Sequence, residues 1–156
     1  MKSQPHDAYA EAQVGIGGPL LGSLGALFCL VVAVLTGSLF WYSLASTGFL
    51  LNLFNLIPIS PLDGGRIVGV LSRWIWAGGY VIGIAAFLWT RSPMLFLILA
   101  VGLFSLPRAI RGPRAGYFNV PARQRLSMGA SYFGLLAALA FAMWITDRPL
   151  QALRLQ

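Results

Sequence analysis

Polar positions are scarce along this chain, and they divide it into five apolar runs: roughly Pro19 to Thr36, Leu39 to Ile57, Trp74 to Trp89, Met94 to Leu106 and Gly129 to Ile145. Only Gly37 and Ser38 separate the first two, and the third stops at Thr90-Arg91-Ser92-Pro93. Each run predicts a helix near the length that crosses a bilayer, which takes about 20 residues. The fourth is short for that, so it either borrows its amphipathic continuation, Pro107 to Gly112, or dips in only partly. The expected fold class is all-α, a polytopic membrane helical bundle. It is read as a single domain over 1–156, with a polar N-terminal segment at 1–17, transmembrane helices within 18–146 and a basic loop at 107–127.

Composition agrees. Hydrophobic residues make up 58% of the chain and charged residues 10%, with a mean hydropathy of +0.77. Soluble globular domains lie well below this, so the core is expected to be helix packed on helix in lipid.

The net charge is +7, from 11 Lys and Arg against 4 Asp and Glu. In a soluble protein that excess would suggest nucleic acid. Here the arginines fall between apolar runs, where they set topology, so nucleic acid is excluded as a partner and the lipid bilayer is expected. Arg108, Arg111, Arg114, Arg123 and Arg125 form the densest basic cluster and are placed on the cytoplasmic side. Alternation then puts Arg66, Arg73 and the N-terminus on the same side, and Arg91 and the C-terminus with Asp147 on the other. The expected location is the cell (inner, cytoplasmic) membrane, crossed several times.

The sole cysteine, Cys29, leaves no disulfide framework or cysteine-based metal site within the chain. The opening residues, MKSQPHDAYAEAQVG, are too polar for a signal peptide and read as a loop leading into an amphipathic helix, or as the interior of a longer sequence. Gly18 and Gly22, like Gly79 and Gly83, are spaced to let helices approach closely, an ordinary feature of membrane packing.

One stretch breaks the pattern. Asn52 to Ile67, NLFNLIPISPLDGGRI, gathers two asparagines, two prolines, an aspartate and a glycine pair in apolar surroundings. A residue before proline is pushed out of the helical region, so the second helix should end near Ile57. Leu62 to Gly65 should turn, and RIVGVLS should restart as a short helix. Irregular backbone at membrane depth must be buried in protein or line a wet cavity. A carboxylate there is functional by default, although Asp63 as a mere cap of the following helix is an equal alternative. Asn52 and Asn55 share one helix face, to satisfy broken backbone groups or to present amides to a ligand.

Asn55-Leu-Ile-Pro58, three further residues, then Leu62-Asp63-Gly64 closely resembles the second signature of the site-2 protease family of intramembrane zinc metalloproteases. EAQVGIGGPLLG resembles the Gly-Pro segment that the family carries between its two signatures, and the likeness extends through SPLDGGRIVGVLSRWIW and, more loosely, to LPRAIRG. The resemblance implies that Asp63 is the third ligand of a zinc ion, beside two histidines of a His-Glu-x-x-His helix whose Glu is the general base. It implies that Asn55 helps hold substrate or the developing oxyanion. Pro58, Pro61, Leu62, Gly64 and Gly65 would shape the turn that brings Asp63 to the metal. The implied substrate is a transmembrane protein, cut within or beside its membrane segment.

The chain departs from the pattern in one large respect. It contains 1 His, His6, followed by Asp7-Ala8-Tyr9-Ala10, with no His-Glu-x-x-His anywhere. Three explanations are open: a natural protein with an earlier start, a truncated relative, or a partner that supplies the missing helix. The first is preferred, and the chain by itself is expected to be inactive and without tightly held zinc. A non-catalytic membrane scaffold that binds client helices is the alternative. A transporter built on the broken helix is weaker, because no second broken helix pairs with the first. Oligomeric state is left open.

Overall fold

The computed structural model describes residues 8–111 and 119–154. Six helices account for nearly all of them: α1 (Ala8–Thr36), α2 (Leu39–Asn55), α3 (Asp63–Leu71), α4 (Arg73–Thr90), α5 (Pro93–Arg111) and α6 (Ala122–Arg154). There is no strand among the described residues. The all-α expectation holds, and each apolar run lies on a helix.

The helix ends follow from local chemistry. Gly37 adopts φ +65, a left-handed conformation that glycine enters without a side-chain clash. Its N–H donates to the Ala33 carbonyl at 2.8 Å and closes α1. Helix α2 stops at Asn55, slightly before the expected Ile57, because Pro58 lacks an N–H and restricts its predecessor. Ser72 starts α4, its hydroxyl accepting from the Trp74 N–H at 3.2 Å. Pro93 opens α5, where its missing N–H is not needed.

Three further boundaries differ from the sequence reading. Helix α3 begins at Asp63, three residues before the expected Arg66, with the acid in its first turn where the helix dipole favours it. Helix α1 begins at Ala8, so most of the polar segment 1–17 is helical. The basic loop expected at 107–127 is shorter: α5 continues through Pro107 to Arg111, and α6 starts at Ala122. Local helix formers on either side, the Arg-Ala-Ile-Arg run and the Ala122-Arg-Gln-Arg-Leu run, extend the helices into it. Residues 112–118, including Arg114, lie outside the described residues, as does His6.

The chain forms two compact units: Met1–Ile16 with Leu56–Tyr132, and Gly17–Asn55 with Phe133–Gln156. In the first, Ala8, Ala12 and Gly15 are buried on one face of α1, and a Cβ added at Gly15 would stand 3.2 Å from the Asp63 carbonyl and 3.4 Å from Arg66 Cβ. Small residues thus let α1 approach the start of α3. Leu56, Ile59, Ile67 and Val68 are fully enclosed there.

In the second unit, a Cβ at Gly48 would come within 2.9 Å of Ala26 Cβ, so α1 and α2 pack closely. Gly22 leaves room for the Asn52 side chain. Asn52 is buried, and its amide donates to the Gly48 carbonyl at 2.9 Å. Of the two uses open to Asn52, the structure shows it bonded within its own helix.

Among the described residues, two helices, Ala8–Thr36 and Ala122–Pro149, are long and apolar enough to cross a membrane, and α4 and α5 hold shorter apolar stretches. Large apolar side chains such as Leu35, Trp89 and Phe104 stand well exposed.

Candidate active site around Asp63

The break between α2 and α3 spans residues 56–62, and its backbone groups need partners. Local turns meet some of that need: Ile59 N–H donates to Ile57 O at 2.7 Å, Leu62 N–H to Ile59 O at 2.9 Å, and Gly65 N–H to Leu62 O at 3.0 Å. The Ser60–Pro61 peptide is cis. Two tyrosines reach in from other helices. Tyr132 of α6 donates its hydroxyl to the Leu56 carbonyl at 2.7 Å, and Tyr80 of α4 donates to the Ser60 carbonyl at 3.4 Å.

Glycines make the packing possible. A Cβ at Gly64 would collide with the Leu56 carbonyl, one at Gly79 with the Pro58 carbonyl, and one at Gly102 with the Ser60 carbonyl. At Gly65 it would stand 2.6 Å from the Ile59 carbonyl carbon. Backbone carbonyls cannot move aside as a flexible side chain does. Any larger residue at these positions would displace the break.

Asp63 is the first residue of α3 and is half-buried. The cap position belongs to Leu62, in extended conformation with φ −65 and ψ 158. The Asp63 carboxylate has no hydrogen-bond partner among the described residues. It is therefore no cap, although the positive end of the α3 dipole favours its charge. Of the two roles left open by the sequence, the capping bond is not made.

The remaining residues of the motif fall as follows. Pro58 is half-buried, with its carbonyl over Gly79, and Pro61 is exposed. Gly64 and Gly65 are buried in the first turn of α3. All of these belong to the first unit. Asn55 ends α2 in the second unit, half-buried, and its side chain likewise has no hydrogen-bond partner among the described residues.

A catalytic zinc takes three protein ligands. Among the described residues no three His, Cys, Asp or Glu side chains gather where they could hold a metal. Asp63 supplies one such group, so the described residues do not by themselves fit the metal.

Sequence reasoning missed Tyr80, Gly102 and Tyr132. A tyrosine inside an apolar run signals a hydroxyl in need of a partner, but nothing local names the carbonyl that meets it.

Residues 33–100 match the family model described as Peptidase family M50. A zinc metalloprotease of Methanocaldococcus jannaschii is 36% identical over 69 residues, which cover 40% of this chain and 20% of that protein. The chain thus spans about a fifth of the length of this relative. No solved structure matches it significantly. The match over residues 33–100, with Asn55, Pro58 and Asp63 inside it, bears out the resemblance to the site-2 protease family of zinc metalloproteases.

Proposed function

We propose that this chain is the Asp-bearing part of an intramembrane zinc metalloendopeptidase of the site-2 protease type, which cuts transmembrane or juxtamembrane segments of other membrane proteins. One observation carries the reading. The family motif folds into a clamped break that leaves Asp63 half-buried and unpartnered at the start of α3. A carboxylate in an apolar setting is costly and functional by default, and the resemblance of the motif implies a metal ligand as that function. Asp63 would be one of three protein ligands, the two histidines coming from outside the described residues. Asn55 would hold the substrate or its developing oxyanion.

The protein would be multi-pass in the inner membrane, as one domain, with the basic segment 107–127 on the cytoplasmic side. The exposed apolar side chains of α1, α4 and α5 support a lipid environment. A cysteine introduced at Asn119, in a background where Cys29 is replaced by Ala, should react with impermeant reagent only from the cytoplasmic side. Labelling from outside would overturn that topology.

The decisive test joins this chain to the coding sequence upstream of Met1. If that sequence encodes His-Glu-x-x-His, the extended protein should bind stoichiometric zinc and cleave a membrane substrate, and Asp63→Asn should weaken zinc and stop turnover, since a neutral amide oxygen is a poorer ligand. Asn55→Ala should keep zinc and slow cleavage by roughly 10²–10³, the usual loss for one oxyanion donor. Wild-type zinc binding and cleavage by Asp63→Asn would overturn the reading. Absence of the upstream motif would turn it to the scaffold.

A further inference from the structure

The carbonyls of Leu56, Pro58 and Ser60 alternate along the break, and each lies over a glycine of a different helix, Gly64 in α3, Gly79 in α4 and Gly102 in α5. Two of the three also accept a phenol. The Tyr132 bond to Leu56 is the shorter of these, 2.7 Å against 3.4 Å for Tyr80 on Ser60. Both of its partners are buried, Tyr132 at 3% exposure and Leu56 at 0%.

A carbonyl just past a helix end has lost its intrahelical donor. Out of water it keeps its direction only if another donor fixes it. The Leu56 carbonyl lies directly against Gly64, the neighbour of Asp63, so the direction of that carbonyl sets where the first turn of α3 sits. Packing explains the Tyr132 ring, but a phenylalanine would fill the same space. The hydroxyl needs its own explanation.

We propose that Tyr132 is a positioning residue for Asp63: its hydroxyl orients the Leu56 carbonyl against Gly64 and so fixes the turn from which Asp63 projects. Its importance for catalysis rests on the reading of Asp63 as a metal ligand. The structural claim does not.

The test uses the chain in detergent micelles at a fixed neutral pH, with ¹³C-labelled aspartate and ¹⁵N-labelled glycine. In Tyr132→Phe the Asp63 carboxyl and Gly64 amide signals should shift or split into several conformers, while the Asp147 carboxyl stays in place. A folded Tyr132→Phe with Asp63 and Gly64 signals unchanged from wild type overturns the proposal, because a space-filling role is all that remains. If the variant does not fold, the wild type decides. Its Tyr132 hydroxyl proton should exchange with solvent much more slowly than a free phenol, and exchange at the free rate overturns the proposal. Neither arm uses zinc or cleavage. A failure here is therefore distinct from failure of the protease reading, which shows as wild-type zinc binding by Asp63→Asn in the extended protein.

Discussion

Ser46 of α2 donates a 2.6 Å hydrogen bond to the Asp147 carboxylate of α6, across 101 positions of sequence. It ties α2 to α6 within the second unit by a bond to a charged acceptor. Beside it, the Arg148 guanidinium lies 3.7 Å from the centre of the Trp144 ring, which stacks on Phe141.

Ser46→Ala should lower stability. Bonds to charged groups contribute about 1.5–3 kcal/mol in water, whereas interhelical bonds in membrane bundles average about 0.6 kcal/mol. The pair is only partly buried, so a loss of about 1 kcal/mol is expected. Asp147→Asn, which keeps an acceptor oxygen, should cost less than Asp147→Ala. Thermal unfolding in one detergent measures all three, and equal losses for Asn and Ala would contradict the bond.

Gly78 and Gly79 make a sharper comparison, because they are adjacent on α4. A Cβ at Gly78 meets nothing within 4 Å, while at Gly79 it meets the Pro58 carbonyl. Gly78→Ala should be neutral or stabilising by up to about 1 kcal/mol, the gain in helix propensity. Gly79→Ala should cost about 1–3 kcal/mol by overpacking. Chemical unfolding of the two variants in the same micelle checks the sign of each.

Asp63 should behave unlike a structural residue. With no cap bond to lose, Asp63→Asn should change stability by at most the dipole contribution, about 0.3–1 kcal/mol. A loss of several kcal/mol, read by the same unfolding assay, would mark the carboxylate as part of the scaffold.

Trp76 has a buried indole N–H with no hydrogen-bond partner among the described residues, and it packs edge-on to Tyr80 with centroids 6.3 Å apart. Trp76→Phe removes the unpaired donor and also some packing. These oppose one another, at about 1–3 kcal/mol for an unsatisfied group and a similar amount for lost ring volume. The net change should stay within about 1 kcal/mol, whereas Trp76→Ala should cost about 3 kcal/mol or more. Unfolding midpoints distinguish the two.

The position of the break was legible in the sequence because proline acts on its immediate neighbour. Pro58 ends α2 whatever surrounds it, whereas α3 restarts at Asp63, three residues before the expected Arg66, because the glycine pair read as a turn is taken into the first helical turn. The role of Asp63 as ligand or cap was not legible, since both need the same residue at nearly the same place. The extent of the basic loop was misjudged because arginines that set topology are also good helix formers. The bond from Tyr132 to Leu56 spans 76 positions, and no local pattern announces a pairing at that range. Asn52 was recognised as polar among apolar residues, but its partners, Gly48 on its own helix and Gly22 on another, came only from the fold.

The clamped break also bears on whether the motif is portable. Its recognisable residues lie within 33–100, where the family match runs. Two of the groups that shape it, Gly102 and the Tyr132 hydroxyl, lie beyond that range. A peptide copied from Asn52 to Leu71, or the same letters grafted between two foreign helices, would carry the signature without the walls that mould it. Chains that share the motif but differ at those distant positions should hold their aspartate differently, so the letters alone identify the ancestry of a site better than they identify its shape.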